Sequence, residues 1–215
     1  MITEFLFVRH GETDANLNGI LQGQLDIKLN ATGLAQAEAV AEYLRNEPLD
    51  VIFVSDLSRA VMTAEKIAAA GHADVPVIQC RELREIACGE LEGKSMEFLR
   101  EKYSEKMAIF YREKGGCFPG GESKDGFQSR ISAVLEQLRR EYRGKKILIV
   151  SHGGVQQRIF SHICGSVKAG NMLPLAGNAS ISGFRYSENM QAWQMTFWNF
   201  REHLKNLPQH QTLVV

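Results

Sequence analysis

The chain has 215 residues, 44% of them hydrophobic, enough for a packed core and too many for a disordered segment. Lysine and arginine together number 25, as do aspartate and glutamate, and a formal charge of zero argues against nucleic acid or an anionic membrane as the main partner. No apolar run approaches the roughly 18 residues of a membrane span, the start "MITEFLFVRH" lacks signal-peptide order, and the scattered Cys80, Cys88, Cys117 and Cys164 suggest free thiols in a reducing, cytoplasmic setting.

In chain order, "FLFV" at 5–8 is short, continuous and apolar, the mark of a strand covered on both faces. The polar stretch after it, broken by Gly11, Gly19 and Gly23, reads as a loop. Asn30 or Thr32 can cap a helix in which Leu34, Ala37, Val40, Ala41 and Leu44 share a face, and Pro48 ends it. "VIFV" at 51–54 is a second buried strand. Ser55 or Asp56 can cap the next helix, which carries Ala60, Ala64, Ile67 and Ala68 on one stripe. "VPVI" at 75–78 is a third, weaker strand.

Residues 87–121 break the rhythm with Gly89, Gly93, Gly115, Gly116, Gly120 and Gly121, and are expected to form a lid-like excursion over the sheet. Its apolar residues, among them Met96, Phe98, Leu99, Tyr103, Met107, Ile109, Phe110, Tyr111 and Phe118, suit either packing or an apolar entrance. Lys94, Arg100, Lys102, Lys106, Arg112 and Lys114 suit a solvated face or attraction of acidic substrates. Phe127, Ile131, Val134, Leu135, Leu138 and Tyr142 mark a long helix that Gly144 stops. "KILIV" is the fourth strand and ends in "SHGG"; a helix runs from about Val155 to Cys164. "ASISGFRYSENMQAWQMTFWNF" reads as two strands around a Ser-Glu-Asn turn, and the tail from about His203 has no pattern. Strands alternating with helices predict an α/β fold over 1–215: a single-domain, three-layer sandwich with a mostly parallel central sheet and helices on both faces.

Open α/β sheets bind ligands beyond the carboxyl ends of their strands. Three such ends are polar here: Arg9-His10-Gly11, Ser55-Asp56 with Arg59 just beyond, and Ser151-His152-Gly153-Gly154. If those strands are neighbours, His10, His152, Arg9 and Arg59 converge. Guanidinium forks match phosphate oxygens, a helix start adds backbone donors, and neutral imidazole is a nucleophile. Each piece alone also fits a solvated loop, a surface helix residue or a tight turn; the repeated placement after buried strands is what singles the set out.

The blocks "LFVRHGETDAN", "SDLSRAVMTAE" at 55–65, "LREIACGELEG" at 83–93, "FPGGES" at 118–123 and "ILIVSHGG" at 147–154 resemble, in order and spacing, the phosphoglycerate mutase-like branch of the histidine phosphatase superfamily. The resemblance implies that His10 accepts the phosphoryl group, that Arg9, Arg59 and His152 hold phosphate oxygens, and that Glu85 protonates the leaving alcohol. Asn16, Gln22 and Gly23 match the loop that closes around the phosphate, Gly153 lies in the phosphate-binding turn, and Asn178 matches a small polar residue near the site. Glu82, Glu90 and Glu92 are local rivals of Glu85, and Arg84 or Arg81 could pair with it instead.

The expected function is a metal-independent phosphomonoester hydrolase, without cofactor, acting through phosphohistidine on a small phosphorylated metabolite. The family also includes α-ribazole-phosphate and phosphoserine phosphatases, phosphoglycerate mutases, and a non-catalytic phosphate-binding role is a further alternative. Ile86, Ala87 and Cys88 follow Glu85 where the mutases carry groups that grip an acidic substrate, which favours water as the acceptor. Nothing in the sequence signals an oligomeric interface.

Overall fold

The computed structural model of the protein describes residues 1–104, 116–165 and 174–208. Its strands are β1 (Ile2–Arg9), β2 (Val51–Val54), β3 (Val77–Gln79), β4 (Lys146–Ser151), β5 (Ile181–Ser187) and β6 (Ala192–Phe200). They form one six-stranded sheet in the order β3-β2-β4-β1-β5-β6. The first four in that order are mutually parallel, while β5 and β6 are antiparallel additions on the β1 side. The sheet is mostly parallel, as expected, with the Ser-Glu-Asn hairpin adding an antiparallel edge. Most important for function, β1 and β4 are direct neighbours and Arg9 stands opposite Ser151 in the register.

Side chains alternate across a strand, so a continuous apolar run feeds two cores. Phe5, Phe7, Ile147 and Ile149 face one core, with Phe127, Ile131 and Leu135 from helix α5 (Lys124–Glu141) and Val155 and Ile159 from α6 (Gly153–Ile163). Val8, Ile52, Leu148 and Val150 face the other, with Val40 and Leu44 from α2 (Ala31–Leu44) and Ala60, Ala64 and Ile67 from α3 (Ser58–Gly71). This is the three-layer arrangement.

Local chemistry sets the helix ends. The Asn30 side chain accepts from the Gly33 amide at 2.8 Å and caps α2 as expected. Ser55 and Asp56, expected to cap α3, do not: the helix begins at Ser58, after Leu57, and has no side-chain cap from its own flank. Asp26 does that work from the preceding loop, accepting from the Ser58 amide and hydroxyl at 2.7 Å each. That frees Ser55 and Asp56 for other partners. The loop after β1 holds a one-turn helix, α1 (Asp14–Leu17), closed by a Thr13–Asn16 capping box. Helix α6 starts two residues before the expected Val155, because two glycines leave no apolar period to read. The tail from His203 is not patternless, since a short 3-10 turn at Glu202–Leu204 buries Leu204.

Within 87–121, helix α4 (Met96–Lys102) is capped by Ser95, and Met96, Leu99 and Phe118 are buried in the first core. These residues pack. Phe98 is exposed, and Lys106, Met107, Ile109, Phe110, Tyr111, Arg112 and Lys114 lie outside the described residues. The excursion leaves and returns at one point: the Glu122 amide donates to the Ala87 carbonyl at 2.8 Å and the Glu90 amide to Pro119 at 3.1 Å. Gly89, at φ +56°, permits this, since a Cβ there would overlap the Pro119 carbonyl and the Gly120–Gly121 backbone.

Candidate active site

The parallel register delivers Arg9, His10, Ser151 and His152 to the same end of adjacent strands. Each is buried, and the His10 and His152 ring centroids are 5.2 Å apart. Arg9, His10 and His152 each have a specific partner, whereas the Ser151 hydroxyl has none among the described residues. His10 Nδ1 lies 2.7 Å from the Gly11 carbonyl oxygen. A carbonyl only accepts, so Nδ1 carries the proton and Nε2 keeps its lone pair. His152 Nε2 is 2.7 Å from the Ser55 hydroxyl, leaving Nδ1 buried with no hydrogen-bond partner.

Arg59 reaches from the first turn of α3 and donates to the Leu25 carbonyl at 2.7 Å and the Gly23 carbonyl at 2.8 Å. Arg9 donates to the Ala176 carbonyl at 2.7 Å. Both guanidinium groups keep a buried Nε without a partner. Burial lowers both pKa values to about 10 against the raising pull of Glu85, with the Arg59 charge adding to the lowering at Arg9, so both remain cations at neutral pH. Burial and then the two arginines hold His10 well below the usual 6.5. Burial and then Arg59 do the same to His152. The pocket thus holds two cations and two neutral imidazoles, with three unpartnered buried N–H positions among them if Ser55 donates to His152.

Glu85 stands across from this group. Its Oε2 accepts from the Gly154 amide at 2.8 Å and its Oε1 from the Ile86 amide at 2.9 Å. A Cβ at Gly154 would overlap the carboxylate, so a larger residue here would push Glu85 aside. Two of the rivals are engaged elsewhere: Glu92 accepts from the Gln24 and Cys88 amides at 2.9 Å each, and Glu82 accepts from the Cys80 thiol. Arg84 does not pair with Glu85 but makes a two-pronged bridge to Asp56 at 2.7 Å.

Asn16, Gln22 and Asn178 are joined through Thr13 in one cluster, whereas Gly23 and Gly153 meet the two arginines. Asn178 donates to the His10 carbonyl at 3.1 Å, the Gly11 carbonyl at 3.3 Å and Asn16 Oδ1 at 3.1 Å. Buried Gln22 accepts from the Thr13 hydroxyl at 3.0 Å. Gly23 offers its carbonyl to Arg59. At Gly153, the position of a Cβ would lie 3.3 Å from the Arg9 guanidinium carbon, so the turn packs directly on that group.

Several supporting residues were not among the expected ones. Thr63, one helical turn after Arg59, accepts from the Gly11 amide at 3.1 Å and donates to the Arg59 carbonyl at 2.8 Å. The spacing of four was visible, but nothing marked it as polar contact rather than helix surface. Ala179 adopts φ +54°, a strained conformation for a residue with a Cβ, beside Asn178. Arg130, from α5, donates to the Arg84 carbonyl at 3.0 Å and forks onto Glu122 at 2.9 and 2.6 Å, bracing the segment that carries Glu85. Among the described residues no group of three or more His, Cys, Asp or Glu could hold a metal ion.

Comparison with known proteins identifies the family. The family model of the histidine phosphatase superfamily (branch 1) matches residues 5–201. The chain is 35% identical to the metal-independent phosphoserine phosphatase of Arabidopsis thaliana, covering 96% of this chain and 85% of that protein. It is 32% identical to PhoE of Bacillus subtilis, named an uncharacterized phosphatase, over 94% of this chain and 97% of that one. A solved structure of phosphoserine phosphatase from Entamoeba histolytica, in complex with phosphoserine, superposes with a TM-score of 0.81 at 28% identity, covering 94% of this chain and 99% of that one. With the match running nearly end to end and the blocks falling on this constellation, the chain belongs to the histidine phosphatase superfamily.

Proposed function

We propose that the protein is a phosphomonoester hydrolase that works through a phosphohistidine at His10, without a metal, on a small phosphorylated metabolite. The observation that carries this is the set of buried, unpartnered nitrogens: Arg9 Nε, Arg59 Nε and His152 Nδ1 surround the one imidazole whose free lone pair is fixed by its neighbour's carbonyl. Buried donors of this kind call for an acceptor, and a phosphoryl group offers three peripheral oxygens.

The first step follows from the neutral state of His10, with its proton on Nδ1. Neutral His10 attacks phosphorus through Nε2, the bond from phosphorus to the alcohol oxygen breaks, and Glu85 supplies the proton to that oxygen. Charge on the transferring group is met by Arg9, Arg59 and the Nδ1–H that His152 carries when Ser55 donates to its Nε2. Glu85 then takes a proton from water, which cleaves the phosphohistidine and frees phosphate. The arginine charges do the work that a metal ion does in other phosphatases.

Water rather than a second substrate hydroxyl is the acceptor in this reading. Ile86 and Cys88 are buried in the core beside Glu85, and burial pushes the Cys88 thiol pKa strongly up. Neither can hold a second acidic group as the mutases require. Phosphoserine is the first substrate to try, since relatives from A. thaliana and E. histolytica carry that name. The same reading takes the protein to act in the reducing cytosol, where exposed Cys117 and Cys164 would persist as thiols.

The test is direct. Hydrolysis of p-nitrophenyl phosphate should persist in EDTA and vanish in His10→Ala. Wild type given radiolabelled substrate and quenched in alkaline detergent should carry label that is stable to base and lost in acid. Turnover retained in His10→Ala would remove the nucleophile, and 2-phosphoglycerate formed faster than phosphate from 3-phosphoglycerate and bisphosphoglycerate would restore the mutase.

A further inference from the structure

Arg59 stands in the first turn of α3 and Glu85 in a segment without regular structure, yet phosphoryl transfer needs the two at a fixed separation. Residues 22–26 run between them as a strap. Gly23 and Leu25 give their carbonyls to Arg59 at 2.8 and 2.7 Å. Gln24, between them, bonds instead to the segment that carries Glu85. Its side chain donates to the Glu85 carbonyl at 3.0 Å, and its amide donates to Glu92 Oε1 at 2.9 Å. The same Glu92 oxygen takes the Cys88 amide at 2.9 Å, so strap and segment are joined twice.

The strap is pinned on both sides of Gln24. Gln22 accepts from the Thr13 hydroxyl at 3.0 Å, and Asp26 accepts from the Ser58 amide and hydroxyl at 2.7 Å each, immediately before Arg59. Gly23 turns the chain at φ +51°, where a Cβ would lie 2.2 Å from Glu92 Oε1. These contacts also gather carboxylates around a buried cation. Burial lowers the pKa of Arg59, while Glu85, Asp26 and Glu92 oppose that lowering. Arg130 also reaches the Glu85 carbonyl, but at 3.5 Å, so Gln24 is the closer donor.

We propose that Gln24 is a positioning residue for the reaction: it fixes how far the proton donor Glu85 stands from Arg59 and the phosphate that Arg59 holds. It acts through the Glu85 backbone, not on the reacting atoms. The proposal rests on the phosphatase reading above and adds to it a part that no titratable or cationic side chain supplies.

Gln24→Met keeps the length of the side chain and removes the donor. It should lower kcat for an alkyl ester such as phosphoserine by about five- to tenfold, the scale of one hydrogen bond and a small misplacement. Hydrolysis of p-nitrophenyl phosphate, whose leaving group needs no proton, should change less than about twofold. The Ki for inorganic phosphate should stay at the wild-type value, because the carbonyls of Gly23 and Leu25 still hold Arg59. Asp26→Ala loosens the Arg59 side of the strap and should do the reverse, raising the phosphate Ki and slowing both ester types alike. A Gln24→Met that slows both ester types equally, that raises the phosphate Ki, or that changes nothing overturns the proposal, as does one pattern shared by the two variants. Failure of the phosphatase reading looks different: wild type itself would hydrolyse neither ester.

Discussion

At the scale of single residues, the site depends on where one atom ends and another begins. Gly154 is the sharpest case, because its missing side chain is occupied by the Glu85 carboxylate. Gly154→Ala should displace Glu85 and lower kcat for alkyl phosphate esters by about 10²-fold or more, the scale of a general-acid contribution. p-Nitrophenyl phosphate, whose leaving group needs no proton, should lose much less. Parallel kcat measurements on both ester types check this; equal losses would mean that the substitution disturbs His10 instead. His10 itself shows why a residue type is not yet a role. Its proton position is set by the Gly11 carbonyl 2.7 Å away, and nothing in the letters Arg-His-Gly displays that.

At the scale of elements, the piece that presents Glu85 is a loop without regular structure, held by Arg130 and Glu122 from α5 and its approach. The two side chains are each 21% exposed, so the bridge is partly sheltered from water. Arg130→Met should cost about 1.5–3 kcal/mol, the worth of hydrogen bonds to a charged group, read from urea denaturation midpoints. It should also lower kcat for alkyl esters more than for p-nitrophenyl phosphate. What the sequence made legible here were the strands and the long helices, because Phe5–Val8, Val51–Val54 and the Phe127–Leu138 stripe announce themselves by period. It also brought together Arg9, His10, Arg59 and His152, since each sits just past a strand end or in the following helix turn. It did not show that Asp26 caps α3 across the loop, that Ser55 serves His152, or that Arg84 prefers Asp56 over Glu85. Those contacts join positions 28 to 97 residues apart, and pattern along a chain carries no such information.

At the scale of the whole molecule, burying two neutral imidazoles has a thermodynamic signature. The unfolded chain binds protons at His10 and His152 with the ordinary pKa near 6.5, whereas the folded values lie well below it. Unfolding therefore takes up protons once the pH falls below about 6.5, and stability should decline from there toward the folded values. Each histidine contributes at most about 1.4 kcal/mol per pH unit in that window. Asp50, Asp56 and Glu136, held below their ordinary 3.8 to 4.5, weaken the fold only at more acidic pH. Denaturant midpoints at pH 7.5 and 5.5 should differ, and His152→Gln should flatten the difference; an unchanged slope would contradict a buried neutral imidazole. Activity should follow the same logic, because protonated His10 has no lone pair at Nε2.

The excursion that departs and rejoins at Gly89 and Gly120–Gly121 has a practical meaning for protein engineers. Its two ends are tied to each other, and its first arm is also paired with the loop around Arg59, the Leu21 amide donating to the Lys94 carbonyl at 2.9 Å and the Met96 amide to the Gly19 carbonyl at 2.8 Å. Any graft of that span must therefore keep the pairing of Lys94 and Met96 with residues 19–21, together with buried Met96, Leu99 and Phe118, or the Gln22–Gly23 loop under Arg59 loses its support.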